Sequence, residues 1–227
     1  MKMLSRLIAT AVAASAVVVA SAGAAATLVA PSPGSSMTTT HPIFSWTLPA
    51  GETGESISVG RSSKINPATG DFPLADLADS DIIDAAVSKW TPERPMSAGK
   101  YYWHVASRSE TEKHVFSAIS SFVIRPSIKL QSIAVKTYGL SRQFLITTSW
   151  QANIRTVNFV ARLMAGSKQL GIKKLKTDNF LIDARKLDLS TWTIPPTVKK
   201  GTRLRFVVTL TAAGGAKATA TKTLKAP

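Results

Sequence analysis

Three histidines, His41, His104 and His114, and no cysteine are the stock from which catalysis would have to be built. Nucleophilic chemistry needs a hydroxyl or thiol held against a base, and no Gly-x-Ser-x-Gly elbow is present. His41 falls in the lead-in to the first strand, His104 on the outward side of a strand and His114 in a charged loop. All three read as surface histidines rather than as catalytic bases. They are not spaced as zinc ligands, and no thiolate could complete such a site. The expectation is a chain with no catalytic residue, no metal and no cofactor; a histidine found in a cleft beside Ser and Asp would reverse it. Asp71, Asp76, Asp79, Asp81 and Asp84 crowd one connection. Asp79-Ser80-Asp81 offers two oxygen ligands at alternate positions, as a calcium loop would, but Ile83 takes the next one. The turn glycine and closing Glu of an EF-hand are also missing. The other readings are a solvated acidic loop, or one that faces the basic second half of the chain.

Charge is unevenly spread. Residues 27–125 hold 8 Lys and Arg against 10 Asp and Glu, whereas 126–227 hold 18 against 3. Within the basic half, Arg203 and Arg205 alternate with Leu204 and Phe206, so they point outward from one strand. Lys173, Lys174 and Lys176 lie on another strand, Lys199 and Lys200 precede Gly201, and Lys217 opens the last strand. If the penultimate strand shares a sheet with the last and middle strands, as in immunoglobulin-type sandwiches, Arg203, Arg205, Lys217 and some of Lys173 to Lys176 form one basic sheet face, with Lys199 and Lys200 as further candidates for anion binding. Such a face attracts polyanions, with affinity that falls steeply as salt rises. The partner expected is an anionic envelope or extracellular polymer. The alternatives are a solubility device or another exported protein bound along a sheet edge. Specific nucleic-acid recognition is not expected, because Phe144, Trp150, Phe159, Trp192 and Phe206 all fit core positions and leave no stacking platform.

The elements that carry these residues are strands. Residues 1–26 read as a signal peptide: Lys2 and Arg6, an apolar run from Leu7 to Ala20, and an Ala24-Ala25-Ala26 cleavage pattern. The uncharged stretch from Leu7 to Ala30 would also suffice for an uncleaved anchor. The protein is therefore expected outside the cell or on its surface, with no membrane span once the leader is removed. In 27–125, Phe44, Trp46 and Leu48 share one face of a strand, and Glu55–Val59 is a second strand. A long connection follows, in which Asp76–Val87 could form a helical turn or two. Tyr101, Trp103 and Val105 then line one face of the strongest strand, and Ser120–Ile124 closes the half. In 126–227 strands are expected at Lys129–Lys136, Gln143–Gln151, Thr156–Met164, Lys168–Lys176, Phe180–Asp183, Arg203–Thr211 and Ala216–Leu224. Gly214-Gly215 makes the last hairpin turn. The interval from Trp90 to Gly99 recurs from Trp192 to Gly201, and Trp46 and Trp150 sit at matching places earlier in their halves, as two tandem copies of one sandwich would place them. The short joint Ile124-Arg125-Pro126-Ser127 restricts bending between the halves.

The Pro-x-Phe-x-Trp strand at 42–46, the run Ala98-Gly99-Lys100-Tyr101-Tyr102-Trp103-His104-Val105, and Ser121-Phe122-Val123-Ile124 together resemble the fibronectin type III-like domains of secreted bacterial proteins. The resemblance covers roughly Leu28 to Pro126 and departs from the family at Ile65–Pro95; the second half is similar to immunoglobulin-like sandwiches only in general pattern. It implies an all-β chain of two tandem antiparallel β-sandwiches, a fibronectin type III-like one over 27–125 and a basic immunoglobulin-like one over 126–227. It also implies a binding or spacer role without catalysis. The core is expected to contain Phe44, Trp46, Tyr101, Trp103, Trp150, Trp192 and Phe206. A tyrosine hydroxyl, of Tyr101 or else Tyr102, should pin a corner to the backbone.

Overall fold

The computed structural model describes residues 25–84, 87–108, 114–138, 142–178 and 182–227. The leader reading falls almost wholly outside those residues. Among them every regular element is a strand, and no helix is long and apolar enough to cross a membrane.

Two sandwiches follow one another along the chain. The first contains β1 (Thr27–Ala30), β2 (Ser35–Met37), β3 (Phe44–Thr47), β4 (Thr53–Gly60), β5 (Leu77–Ile82), β6 (Lys89–Trp90), β7 (Gly99–Arg108), β8 (His114–Phe116) and β9 (Ser120–Ile124). One of its sheets runs β1-β3-β6 and the other β2-β9-β7-β4-β5, with β8 added to β7. The second contains β10 (Ile128–Tyr138), β11 (Gln143–Ala152), β12 (Thr156–Ala165), β13 (Lys168–Asp178), β14 (Lys186–Thr193), β15 (Arg203–Ala212) and β16 (Lys217–Lys225). Its sheets run β10-β11-β14 and β13-β12-β15-β16. The two halves therefore share one topology: β1-β3-β6 corresponds to β10-β11-β14, and β9-β7-β4-β5 to β16-β15-β12-β13. This is the division into two Greek-key sheets that defines fibronectin type III and immunoglobulin sandwiches. Pairing is antiparallel throughout, except that β2 runs parallel to β9.

Alternation explains the cores. Phe44 and Trp46 are buried while the alternating Ser45 and Thr47 are not, and Tyr101, Trp103 and Val105 face them from β7. The Phe44 ring meets Trp103 edge-on, with centroids 5.0 Å apart. The Tyr101 hydroxyl donates to the Ser97 carbonyl at 2.7 Å, the corner bond of this fold class. In the second sandwich Trp150, Trp192 and Phe206 are buried with Leu204, Val208 and Leu210. Gly214 and Gly215 both have positive φ and close the β15–β16 hairpin.

Several expectations are corrected. Leu77–Ile82 is an edge strand on β4, not a helical turn: its Asp-rich side chains stay wet while its backbone completes the β4 ladder. Of the strand expected at Phe180–Asp183, Phe180 and Leu181 lie outside the described residues, Ile182 and Asp183 lie in a turn, and a strand not expected forms at Lys186–Thr193. The alternation in β14 is inverted. Leu187 and Leu189 point out, and Asp188 points in to accept the Trp150 indole N–H at 2.5 Å. Trp46 and Trp150 are not equivalent. Phe44 stands opposite Trp90 and Phe144 opposite Trp192, so the residue matching Trp46 is Ile146.

The joint is pinned by Asn153, which is fully buried. Its side chain accepts from the Ser127 amide at 2.7 Å and donates to the Arg125 carbonyl at 2.8 Å. Its own carbonyl takes the Ala98 amide at 2.6 Å. A fourth link joins the Thr40 hydroxyl to the Asp183 carboxylate at 3.0 Å.

Candidate anion-binding face

In the β13-β12-β15-β16 sheet the odd–even rule of a strand divides the residues cleanly. Val157, Phe159, Ala161 and Leu163 of β12 and Leu204, Phe206, Val208 and Leu210 of β15 are buried against the other sheet. The opposite face carries Arg162, Arg203 and Arg205, joined by Lys174 and Lys176, which pair with the outward residues Val160 and Asn158. Lys217 and Lys225 extend it along β16. Among the described residues none of these seven cations has a carboxylate within ion-pair distance. Asp178, opposite Thr156 at one corner, is the nearest acidic residue in the register. Arg205 donates to the Gly166 carbonyl at 2.9 Å, which steadies the guanidinium without neutralising it.

Not every lysine singled out in the sequence lies on this face. Lys173 pairs with Ala161, an inward position, and turns its ammonium to the Thr191 carbonyl and over the Trp192 ring. Lys199 and Lys200 are exposed in the turn before β15, off the sheet. Arg162 and Lys225 belong to the face and were not singled out. The alternation of Arg162 with buried Ala161 and Leu163 was the available signal.

The matching sheet of the first sandwich is covered. Residues 61–76, between β4 and β5, cross its outer face and lay Phe72 over His104, with ring centroids 4.8 Å apart. Phe116 of β8 stacks on the imidazole with ring centroids 5.3 Å apart. Gly60 makes room for this layer, because a Cβ there would lie 2.7 Å from the Phe72 ring. His104 is therefore 2% exposed, and its reading as a surface histidine is corrected. Its Nε2 meets one oxygen of Asp71 at 3.0 Å, and Ser58 donates to the other at 3.0 Å. Burial raises the Asp71 pKa, but the bonds from His104, the Phe72 amide and Ser58 outweigh it and hold the carboxyl below its usual range.

A cleft of about 330 Å³ beside this layer is lined by residues that include Glu55, Ser56, Asp71 and His114. Histidine, serine and aspartate thus do meet here, but in the wrong order for a triad. Asp71 stands between Ser58 and His104, and His114 binds Glu55 at 2.6 Å. Among the described residues of this cleft no hydroxyl is bonded to the imidazole of His104 or His114, so neither is aimed at a nucleophile; elsewhere the Thr40 hydroxyl lies 3.3 Å from His41 Nδ1 and donates to Asp183. The five aspartates of the acidic connection disperse: Asp71 binds His104 and Asp81 binds the Trp90 indole. No group of three metal-ligating side chains forms among the described residues.

No family model and no curated protein matches the chain. Solved structures similar to it are fibronectin type III and related receptor domains. A two-domain fibronectin type III segment of chicken tenascin shares 11% identity at a TM-score of 0.44, over 87% of this chain and 97% of that one. Fibronectin(III)-like modules of CbhA from Clostridium thermocellum share 12% at 0.29, over 88% and 92%. The first three fibronectin domains of chicken CNTN1 share 12% at 0.32, over 90% and 68%.

Proposed function

We propose that the chain is a non-enzymatic exported binding module that holds an anionic envelope or extracellular polymer on the outer face of the β13-β12-β15-β16 sheet. The observation that carries this reading is the set of seven unpaired cations on one bare sheet face. Single-sign charge at that density is more than solubility requires, and it draws a polyanion by releasing the polymer's counterions. The test is binding of the full chain to cell envelopes and purified anionic polymers across a salt series. With about five anionic groups contacted, affinity should fall about a hundredfold between about 50 and about 200 mM salt. Arg203→Ala with Arg205→Ala should lower affinity about tenfold or more at low salt and flatten the salt slope by about two. Absence of binding at low salt would retire the reading. So would release of soluble polymer fragments that His114→Ala abolishes.

A second reading draws on β14, a free edge strand with Leu187 and Leu189 about two-thirds exposed. An exported protein could add a strand there. Lys173 already occupies the Thr191 carbonyl on that strand. Binding through this edge would persist as salt rises.

A further inference from the structure

The cations on the bare face are ordered, and the strand register shows how. Lys176 pairs with Asn158, and Lys174 with Val160, two residues further along the sheet. Two residues further again stands Arg162 itself, one strand over on β12. The next outward level is Met164, which pairs with Arg205 on β15. Arg203 follows two residues beyond and pairs with Lys225 on β16. Five successive levels therefore each carry a cation, and the line steps from β13 through β12 and β15 to β16. Lys217 is the exception, since it pairs with Thr211 at the level of Lys176 but at the far edge. Asp178 lies one level before Lys176 and closes that end of the line.

We infer that this diagonal is a track for one extended polymer that carries a phosphodiester about every 7 Å through an aliphatic polyol. The inference rests on the reading of this face as an anion-binding surface and names the kind of polymer it takes. Two residues along a strand span about 7 Å, and a step of two residues plus one strand spans about 8 Å, so the line runs about 30 Å in nearly equal steps. Two peptide residues are six backbone bonds. A phosphodiester joined through a three-carbon polyol also repeats every six bonds, so its extended phosphates fall at the same spacing of about 7 Å. Beside the track, Thr209, Thr211, Thr219, Thr221 and Thr223 present hydroxyls from β15 and β16, which suit the polymer's own hydroxyls and ester oxygens. Single-stranded nucleic acid has the same phosphate spacing, but its bases need aromatic platforms. The outward residues of the four strands include no aromatic side chain.

The experiment measures binding of the full chain to glycerol phosphate oligomers of increasing length, at low salt. Affinity should climb to about five repeats, one per level, and then flatten. Arg162→Thr combined with Thr221→Arg keeps the net charge and the register level while moving the central cation two strands off the line. It should weaken binding about tenfold, whereas Lys217→Thr, which removes an off-track charge, should weaken it less than threefold. Unchanged melting temperatures would show that both variants fold. Equal binding by the relocated variant would overturn the track and leave the anion-binding face standing. Failure of every glycerol phosphate oligomer and of the long glycerol phosphate polymer would overturn the track, and the anion-binding face would fall with it only if envelopes and the other anionic polymers also failed to bind at low salt. Tighter binding to oligothymidylate of equal charge, or to anionic lipid vesicles, would overturn the polyol-phosphate assignment.

Discussion

The two sandwiches use the same sheet in opposite ways. In the first, the sheet containing β4 and β7 is buried on both sides, by the core beneath and by Phe72 and Phe116 above. In the second, the equivalent sheet of β12 and β15 is buried on one side only, and its other side carries cations. The difference originates in one connection. Arg61–Asp76 joins β4 to β5 and is long enough to fold back across the sheet, whereas Gly166-Ser167 joins β12 to β13 as a tight hairpin and can cover nothing. The composition follows. Ser58, Gly60 and His104 suit a packed layer, and Arg162, Arg203 and Arg205 suit water. One topology thus yields a covered sheet in the first half and a bare, cationic one in the second, chiefly through the length of the β4–β5 connection, with Phe116 of β8 adding to the cover.

Removing the cover tests this contrast most severely. Phe72→Ala should cost about 3 kcal/mol in chemical denaturation, because it opens a cavity over His104. Val160→Ala on the bare face should change stability by less than about 0.5 kcal/mol. Similar costs at the two sites would mean that the faces do not differ as described. Next in size is Asn153→Ala. It strands the Ser127 amide and the Arg125 carbonyl and should cost about 2 kcal/mol. Scattering or residual-coupling measurements should also show a wider range of domain angles. The smallest effect is electrostatic. The folded Asp71 carboxyl titrates below its unfolded value, so its contribution is present above the unfolded pKa and is lost as pH falls through the folded one. Asp71→Asn should lower stability modestly at neutral pH and remove that acid-side loss. A variant that keeps the same acid limb as the parent would assign the limb elsewhere, with Glu55 next in line, since His114 and Arg108 outweigh its burial and hold it low.

Much of the fold was legible because alternation is a local property. Phe44 with Trp46, Tyr101 with Trp103, and Leu204 with Phe206 each declare a buried face from a few residues. What stayed hidden depended on partners distant in the chain. His104 reads as outward, and it is on the outward face, but Phe72 arrives from another loop to bury it. Leu77–Ile82 lacks apolar alternation, and β4 makes it a strand. In β14 the indole of Trp150 draws Asp188 inward, so the pattern reads backwards. Among the basic residues, Arg203 and Arg205 were visible beside Leu204 and Phe206. The adjacent pair Lys173-Lys174 gave no hint of which lysine faces out, and the diagonal exists only in the register between four strands.

The Asn153 joint sets how the molecule moves as a whole. With both flanking peptide groups and Ala98 bonded to one buried residue, the two sandwiches should tumble as a single body rather than as beads on a string. Rotational diffusion would then act on both halves alike, and the first sandwich would serve as a rigid handle that fixes the heading of anything laid across the second.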